Sequence, residues 1–180
     1  MHTLPNYLTF LRLLLIPVVV VAFLLPWQWS NWAATIAFAL AGFTDYLDGY
    51  LARKLKQTTA FGAFIDPVAD KITVAVALVI LIHHYQSLLV TLPAMVIISR
   101  EILVSALREW MAELGERAKV AVSRIGKWKT TFQMLAIGGL LWQVHPALTQ
   151  LALGLLILAA LLTLWSMVSY LRAAWPILKR

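Results

Sequence analysis

Long apolar runs, interrupted at short intervals by Gly, Pro or polar residues, dominate this chain of 180 residues. About 20 apolar residues are enough for an α-helix to cross the hydrocarbon core of a bilayer. In lipid, only helices and closed barrels satisfy their own backbone polar groups, so runs of this length predict a bundle of membrane-spanning helices. We predict six spans, over residues 5–25, 32–56, 62–83, 87–113, 125–142 and 147–173.

The amino-acid composition agrees with a protein that is surrounded by lipid. Hydrophobic residues make up 62% of the chain and charged residues only 13%, whereas soluble domains are about half apolar and a quarter charged. A single core of this size cannot bury that much apolar surface, so we predict an all-α, polytopic membrane protein. No linker or low-complexity tract divides the chain, and we expect one membrane-embedded domain over residues 1–180.

The absence of cysteine and the excess of basic residues limit the chemistry. Without cysteine, disulfides and thiolate metal sites are excluded, so a bound metal must take oxygen or histidine ligands. The formal net charge is +7. In a membrane protein this charge favours anionic lipid head groups or a phosphorylated substrate over nucleic acid.

The basic residues are concentrated at alternate connections between the predicted spans. The connections near 26–31, 83–87 and 142–147 contain no Lys or Arg. The positive-inside rule therefore places the other connections, and with them the N- and C-termini, on the cytoplasmic side. The basic residues on that side are Arg53, Lys54, Lys56, Arg117, Lys119, Arg124, Lys127, Lys129, Arg172, Lys179 and Arg180.

Four aspartates stand at helical spacing on two successive predicted helices. Asp45 and Asp48 share one helix face, and so do Asp66 and Asp70, because residues three or four positions apart are neighbours on a helix surface. The connection between the two helices is short, which makes them antiparallel neighbours. We therefore expect the four carboxylates to converge at the cytoplasmic side of the bundle, with the small residue Gly49 beside them.

Four carboxylates near lipid require a compensating positive charge. One ionised side chain at the bilayer centre costs about 2.5–3.5 kcal/mol even on insertion scales. Lys71 and Arg53 could neutralise part of the charge, but they could not coordinate all of the carboxylate oxygens. Hard oxygen ligands select Mg²⁺, Mn²⁺ or Ca²⁺, and a pair of ions suits displacement at phosphorus. The alternative interpretation is a set of structural ion pairs or solvated helix ends.

The spacing of the aspartates and their neighbours resembles a family signature. The pattern D-x2-D-G-x2-A-R-x8-G-x3-D-x3-D is that of the CDP-alcohol phosphatidyltransferases. The resemblance implies a six-transmembrane-helix bundle, usually a homodimer, which acts on CDP-linked substrates with two Mg²⁺ or Mn²⁺ ions. The matching positions are Asp45, Asp48, Gly49, Ala52, Arg53, Gly62, Asp66 and Asp70.

The resemblance also implies a role for each of these residues. All four aspartates would be metal ligands, and Asp70 would in addition be the general base that takes the proton of an attacking hydroxyl. The other matching residues would contact the CDP moiety, from which CMP departs. They are Gly49, Ala52, Arg53 and Gly62.

Two further segments resemble the bacterial branch of this family that makes phosphatidylglycerol phosphate. They are Pro-Asn-Tyr-Leu-Thr-Phe-Leu-Arg at 5–12, and Ile-Ser-Arg-Glu-Ile-Leu-Val at 98–104 followed by Gly-Lys-Trp-Lys-Thr at 126–130. This resemblance implies CDP-diacylglycerol as donor, sn-glycerol-3-phosphate as acceptor, and the bacterial inner membrane as location. Asn6 and Thr9 are candidates for substrate contacts, although they are equally well explained as loop or cap residues.

A phosphorylated acceptor requires basic groups close to the aspartates. Arg100 lies well inside the fourth predicted helix, where an unpaired charge is costly, so we predict that it faces the bundle interior and binds the acceptor phosphate. Pairing with an aspartate is the alternative. Glu101 is not expected to be its partner, because adjacent residues point about 100° apart on a helix. Further candidates for the phosphate, or for ordinary cytoplasmic anchors, are Arg124, Lys127 and Lys129.

Two other classes of protein, transporters and metal-binding structural proteins, would also use buried aspartates. Buried carboxylates serve as relays in ion or proton transporters, and a metal-binding structural protein would use the same ligands. Clustering of the carboxylates at one side of the membrane, next to Arg53, favours the enzyme. Within the enzyme interpretation, the alternative is the same reaction with a different acceptor, such as serine, inositol phosphate or phosphatidylglycerol.

A pair of glycines, Gly138 and Gly139, lies within the fifth predicted helix. Small residues let two membrane helices approach closely. We therefore expect tight helix packing at this point.

Overall fold

The computed structural model describes residues 4–55, 60–115 and 124–178, and within these ranges the regular structure is entirely helical. The predicted all-α architecture is thus confirmed for the described residues, and each observed helix overlaps one predicted span. The helices are α1 (Leu4–Leu24), α2 (Ser30–Leu55), α3 (Ala60–Tyr85), α4 (Leu88–Glu113), α5 (Arg124–Trp142) and α6 (Pro146–Leu178).

The helices end at residues whose backbone leaves the right-handed region. Gln86 follows α3 with φ 44°, and Gln143 follows α5 with φ 52°. Gly115, just beyond α4, has φ 75°. A left-handed residue turns the chain out of a helix and lets backbone donors close the last turn. Ser87 then begins α4, with its hydroxyl oxygen accepting a hydrogen bond from the Leu89 N–H at 3.3 Å.

Three helices in the described part of the chain are long and apolar enough to cross a membrane. These segments are Tyr7–Leu24, Leu88–Glu113 and Pro146–Arg172. The remaining helices are α2 and α3, which carry the four aspartates, and α5, which carries Lys129 and its basic neighbours. Ionisable residues within such helices are costly in lipid and tend to mark functional sites.

The helices pack around one apolar core to which every helix contributes. α1 packs most extensively against α2 and also contacts α3, while α6 packs against α5 and α4. The outer surface is apolar as well, with exposed side chains such as Leu14, Leu88 and Trp165. A surface of this kind suits lipid rather than water. The buried core residues include Val19, Ala34, Leu78, Ile97, Ile137 and Leu156.

The glycine pair in α5 marks a close approach to α6. A Cβ atom built on Gly139 would lie 2.7 Å from the Cβ atom of Ala152, whereas one on Gly138 would meet nothing within 4 Å. The predicted tight packing is therefore confirmed at Gly139. Gly138 does not take part in it.

Candidate active site

The aspartates of α2 and α3 are drawn together by a residue of α1. Arg12 reaches three of the four carboxylates, two from α2 and one from α3. Its Nη2 lies 2.9 Å from Asp45 Oδ1 and also contacts Asp48, while its Nη1 contacts Asp70. The arginine side chain is only 1% exposed. One guanidinium therefore links the acidic pair of α2 to the second aspartate of α3.

The fourth carboxylate is held by the same helix. Thr9, one turn before Arg12 on α1, donates its hydroxyl to Asp66 Oδ1 at 2.6 Å. Thr9 is buried as well. Sequence reasoning placed Thr9 among candidate substrate contacts; the structure places it on an aspartate. The side chain of Asn6, the other candidate, lies outside the described residues.

Arg12 is the main functional residue that sequence reasoning missed. The positive charges beside the aspartates were expected to come from Lys71 and Arg53. Lys71 instead lines a separate, basic cavity, and the side chain of Arg53 lies outside the described residues. The available signal was a lone arginine in an otherwise uncharged spanning helix, because such a charge requires an acidic partner in the bundle.

The four aspartates, Asp45, Asp48, Asp66 and Asp70, are called here the acidic cluster. A cavity of about 160 Å³ opens beside this cluster and is called here the acidic cavity. Asp45 and Asp70 line it with side chains that are 47% and 49% exposed, whereas the Asp48 side chain is only 4% exposed. Two carboxylates therefore face the space in which a ligand would sit. The remaining lining includes Arg12, Ala41, Gly42, Thr73, Thr130 and Met134.

The residues predicted to contact a nucleotide are described only in part. Gly62, in the first turn of α3, is buried, and Gly49 follows Asp48 on α2 with partial exposure. The side chains of Ala52 and Arg53 lie outside the described residues. The geometry of a nucleotide site therefore stays a prediction.

The donor chemistry of the acidic cluster fits a hard divalent cation, although the side chains are turned elsewhere. Carboxylate oxygens are the ligands that Mg²⁺ and Mn²⁺ prefer. Among the described residues, no group of three Asp, Glu or His side chains is arranged to hold one ion. The reason is visible in the contacts: the carboxylates point at Arg12 and Thr9. To bind an ion, these carboxylates would have to turn away from Arg12 and Thr9. The same four aspartates would then supply the ligands.

A second cavity, of about 150 Å³, has four basic side chains in its lining and is called here the basic cavity. Arg100 of α4, only 8% exposed, donates from Nη2 to the hydroxyl of Ser166 on α6 at 2.8 Å. Its guanidinium carbon lies 5.5 Å from the ring centre of Tyr170, within the range of a cation–π contact. The other charged lining residues are Lys71, Glu101, Arg108 and Lys129.

Glu101 joins two of these cations, which corrects a prediction. Its Oε1 accepts a hydrogen bond from Arg100 Nη1 at 3.1 Å and another from Lys129 Nζ. The expectation that Glu101 does not pair with Arg100 was wrong. Adjacent residues leave the helix about 100° apart, but both side chains are long enough to bend toward the same side. Among the described residues, Arg100 donates to Glu101 and Ser166 rather than to an aspartate.

Lys129 is buried rather than displayed at the membrane surface. It is 4% exposed and forms an ion pair with Glu101. An ordinary cytoplasmic anchor would extend into water. Lys129 lies inside the bundle instead, so it is not such an anchor. The side chains of Lys127 and Arg124, which precede it on α5, lie outside the described residues.

The two cavities are adjacent. Thr130 on α5 lines both the acidic and the basic cavity. A molecule in the basic cavity would therefore share a lining residue with the acidic cavity, which Asp45 and Asp70 line. Carboxylates that bind cations beside cations that bind anions provide the electrostatic arrangement for bringing two phosphate-bearing substrates together.

Comparison with known proteins points in one direction. Residues 2–168 match the model of a family described as CDP-alcohol phosphatidyltransferase. A CDP-diacylglycerol–glycerol-3-phosphate 3-phosphatidyltransferase of Haemophilus influenzae is 58% identical over 170 residues, which cover 94% of this chain and 92% of that protein. Proteins of the same name from Escherichia coli and Shigella flexneri are each 55% identical over 170 residues, covering 94% of this chain and 93% of theirs.

Proposed function

Since the chain belongs to the CDP-alcohol phosphatidyltransferase family, we propose that it transfers the phosphatidyl group of CDP-diacylglycerol to sn-glycerol-3-phosphate. The products are phosphatidylglycerol phosphate and CMP. The names of relatives that are 55–58% identical support this donor and this acceptor. The structural observation that carries the proposal is the basic cavity next to the aspartates, because an acceptor that bears a phosphate requires an anion site beside the reacting centre.

The acidic cluster is proposed to bind divalent cations, Mg²⁺ or Mn²⁺, as two ions. Asp45, Asp48, Asp66 and Asp70 would hold them, since four carboxylates supply enough hard oxygen atoms for two ions. When bound, the ions would offset the negative charge of the pyrophosphate and of the departing CMP. The exposure of Asp45 and Asp70 to the acidic cavity supports an approach from that side.

Asp70 is proposed as the general base. Its side chain is half-exposed to the acidic cavity, where it could accept the proton from the attacking hydroxyl of the acceptor. The hydroxyl oxygen forms a bond to the β-phosphorus of CDP-diacylglycerol, and the bond from that phosphorus to the CMP oxygen breaks. The proton remains on Asp70 until it is released, and CMP leaves with the bonding electron pair.

The donor nucleotide is proposed to lie along the end of α2 and the start of α3. Gly49, Gly62 and Ala52 would contact the CDP moiety, as the family resemblance implies. Arg53 would donate to a phosphate, because a guanidinium offers two parallel N–H groups. Asn6, near the start of α1, is a further candidate for a substrate contact.

The acceptor phosphate is proposed to bind in the basic cavity. Arg100 and Lys129 would hold it, assisted by Arg124 and Lys127 from the same end of α5. Among the described residues that line the basic cavity, four are cations, Lys71, Arg100, Arg108 and Lys129, and one is an acid, Glu101, which gives this lining an excess of positive charge. An anion would reduce the cost of keeping these cations away from water.

The chain is proposed to be one domain in the bacterial inner membrane. All six helices would cross the bilayer, both termini would be cytoplasmic, and the active site would face the cytoplasm. The positive-inside distribution of Lys and Arg supports this orientation. The three helices that carry the site, α2, α3 and α5, would be supported in the bilayer by their packing against α1, α4 and α6. A homodimer is proposed from the family resemblance alone.

The purified protein tests this function directly. With CDP-diacylglycerol, sn-glycerol-3-phosphate and Mg²⁺ in detergent micelles, we expect stoichiometric release of CMP and phosphatidylglycerol phosphate. A panel with serine, inositol phosphate and phosphatidylglycerol identifies the acceptor. Asp45→Asn should abolish CMP release, while Glu109→Gln, an exposed acid on α4, should leave it intact. No CMP with any acceptor, in the presence of metal, would reject the proposed activity.

A further inference from the structure

Arg12 has an unusual position for a charged residue. It is the one charged residue among the 21 residues of α1, and it is 1% exposed. An arginine inside an apolar spanning helix is costly unless it has acidic partners. Its partners lie on both neighbouring helices, since Asp45 and Asp48 belong to α2 and Asp70 belongs to α3. These three carboxylates thus offset the cost of placing the charge of Arg12 within α1.

The charges around Arg12 do not balance. Its single positive charge faces three carboxylates, with Asp66 on the adjoining Thr9 hydroxyl. Its Nε is buried and has no hydrogen-bond partner among the residues that the structure describes. A structural ion pair is expected to satisfy its buried donors and to match its charges. This arrangement does neither, so the cluster retains the capacity to bind further positive charge.

We propose that Arg12 is a resident counter-ion which occupies the acidic cluster when no metal is bound, and that an incoming divalent cation displaces it from Asp45 and Asp70. This rests on the metal site proposed above. The two carboxylates that Arg12 would give up are those exposed to the acidic cavity, and the one it would keep, Asp48, is buried. A divalent ion brings twice the charge of the guanidinium to the same oxygen atoms.

The exchange has a consequence for Asp70. Arg12 Nη1 donates to Asp70 Oδ1, so one oxygen of the proposed base is already engaged. The arriving cation would take the place of Arg12 at this oxygen, and the other carboxylate oxygen of Asp70 would accept the proton. Arg12 is therefore a positioning residue that acts through the aspartates, and its charge also reduces the repulsion between them.

Metal binding without substrate tests the inference. We expect Arg12→Gln to bind Mn²⁺ on the order of tenfold more tightly than the unchanged protein in a titration followed by electron paramagnetic resonance, since a neighbouring charge shifts an ionic equilibrium by about one logarithmic unit or more. In EDTA the variant should unfold at a lower temperature, and saturating Mn²⁺ should remove most of that difference. Arg172→Gln, at an exposed position of α6, makes the same change of charge and should alter neither result.

The opposite pattern would overturn the inference. If Arg12→Gln binds Mn²⁺ no more tightly, or loses the same stability with and without Mn²⁺, Arg12 is a structural residue that does not compete with the ion. Should Arg12→Gln fail to fold, Arg12→Lys takes its place. Its single nitrogen cannot bridge the carboxylates as a guanidinium does, so its Mn²⁺ affinity should exceed that of the unchanged protein, and an equal or weaker affinity contradicts the inference.

The titration is independent of turnover. If Mn²⁺ binding changes as expected but no CMP is ever formed, the proposed function fails and the counter-ion role stands. If CMP is formed but Arg12→Gln shows no change in Mn²⁺ affinity, the counter-ion role alone fails.

Discussion

Substitution of Gly139 by alanine tests the packing that aligns α5 with α6. This alignment matters for the basic cavity, because Lys129 lies on α5 and Ser166, which holds Arg100, lies on α6. The added Cβ atom would lie 2.7 Å from the Cβ atom of Ala152. Non-bonded carbon atoms prefer a separation of about 3.5–4.0 Å, so the two helices must move apart by about 1 Å at this point.

The size of the effect follows from this overlap. Neither atom belongs to a flexible side chain that could turn away, and forcing an extra carbon into a well-packed contact costs about 1–3 kcal/mol. Gly138→Ala is the matched control, because its Cβ atom would meet nothing within 4 Å. Alanine is favoured over glycine in soluble helices by about 0.8–1.0 kcal/mol. Gly138→Ala should therefore be neutral or slightly stabilising.

Thermal unfolding of both variants in the same detergent, followed by tryptophan fluorescence, compares them directly. Gly139→Ala should unfold several degrees below the unchanged protein, and Gly138→Ala at or above its unfolding temperature. Gly139→Ala should also raise KM for the phosphorylated acceptor more than for the donor lipid. Equal stability of the two variants would refute the close α5–α6 contact and the reasoning built on it.

Three further substitutions address the site. Asp70→Asn should lower CMP release by about 10²–10⁴-fold, the usual contribution of a general base, while CDP-diacylglycerol still binds; near-normal turnover would exclude Asp70 as the base. Arg100→Gln should raise KM for sn-glycerol-3-phosphate more than for the donor, and equal effects on both substrates would contradict an acceptor-phosphate role. Thr9→Val removes the hydrogen bond to Asp66 and should cost about 1.5–3 kcal/mol of stability in EDTA, whereas Thr9→Ser keeps the hydroxyl and should cost less; the same loss in both would show that the hydrogen bond contributes little.

Much of the fold was predictable from the sequence because its causes are local. Apolar runs of about 20 residues, ended by Gly, Pro or polar clusters, specify helices wherever lipid is the solvent. The predicted spans 87–113 and 125–142 agree closely with α4 (Leu88–Glu113) and α5 (Arg124–Trp142). The close approach at Gly139 was predicted from small size alone, yet only the helix rotation decided that Gly139, and not Gly138, faces Ala152.

The acidic cluster was predictable only in its membership. Spacing on a helix assigns Asp45 and Asp48 to one face, and Asp66 and Asp70 to another, and that spacing also carries the family resemblance. Spacing does not say which cation stands among them. Arg12 meets Asp48 across 36 residues and Asp70 across 58, and a contact over that distance depends on how α1 lies against α2 and α3.

The basic residues show the same division between local pattern and tertiary structure. Arg100 was predicted to be internal because an unpaired charge is costly in lipid, and it is buried. Its partners were not predicted, because Ser166 is 66 residues away and Glu101 is held in place by Lys129, 28 residues further along the chain. By itself the sequence determined the helices and the membership of the aspartate cluster, and it predicted an orientation in the membrane. Only the tertiary structure decided which side chain balances which charge. The partners of a long side chain depend on the separation and rotation of the helices around it, and those helices are distant in the chain.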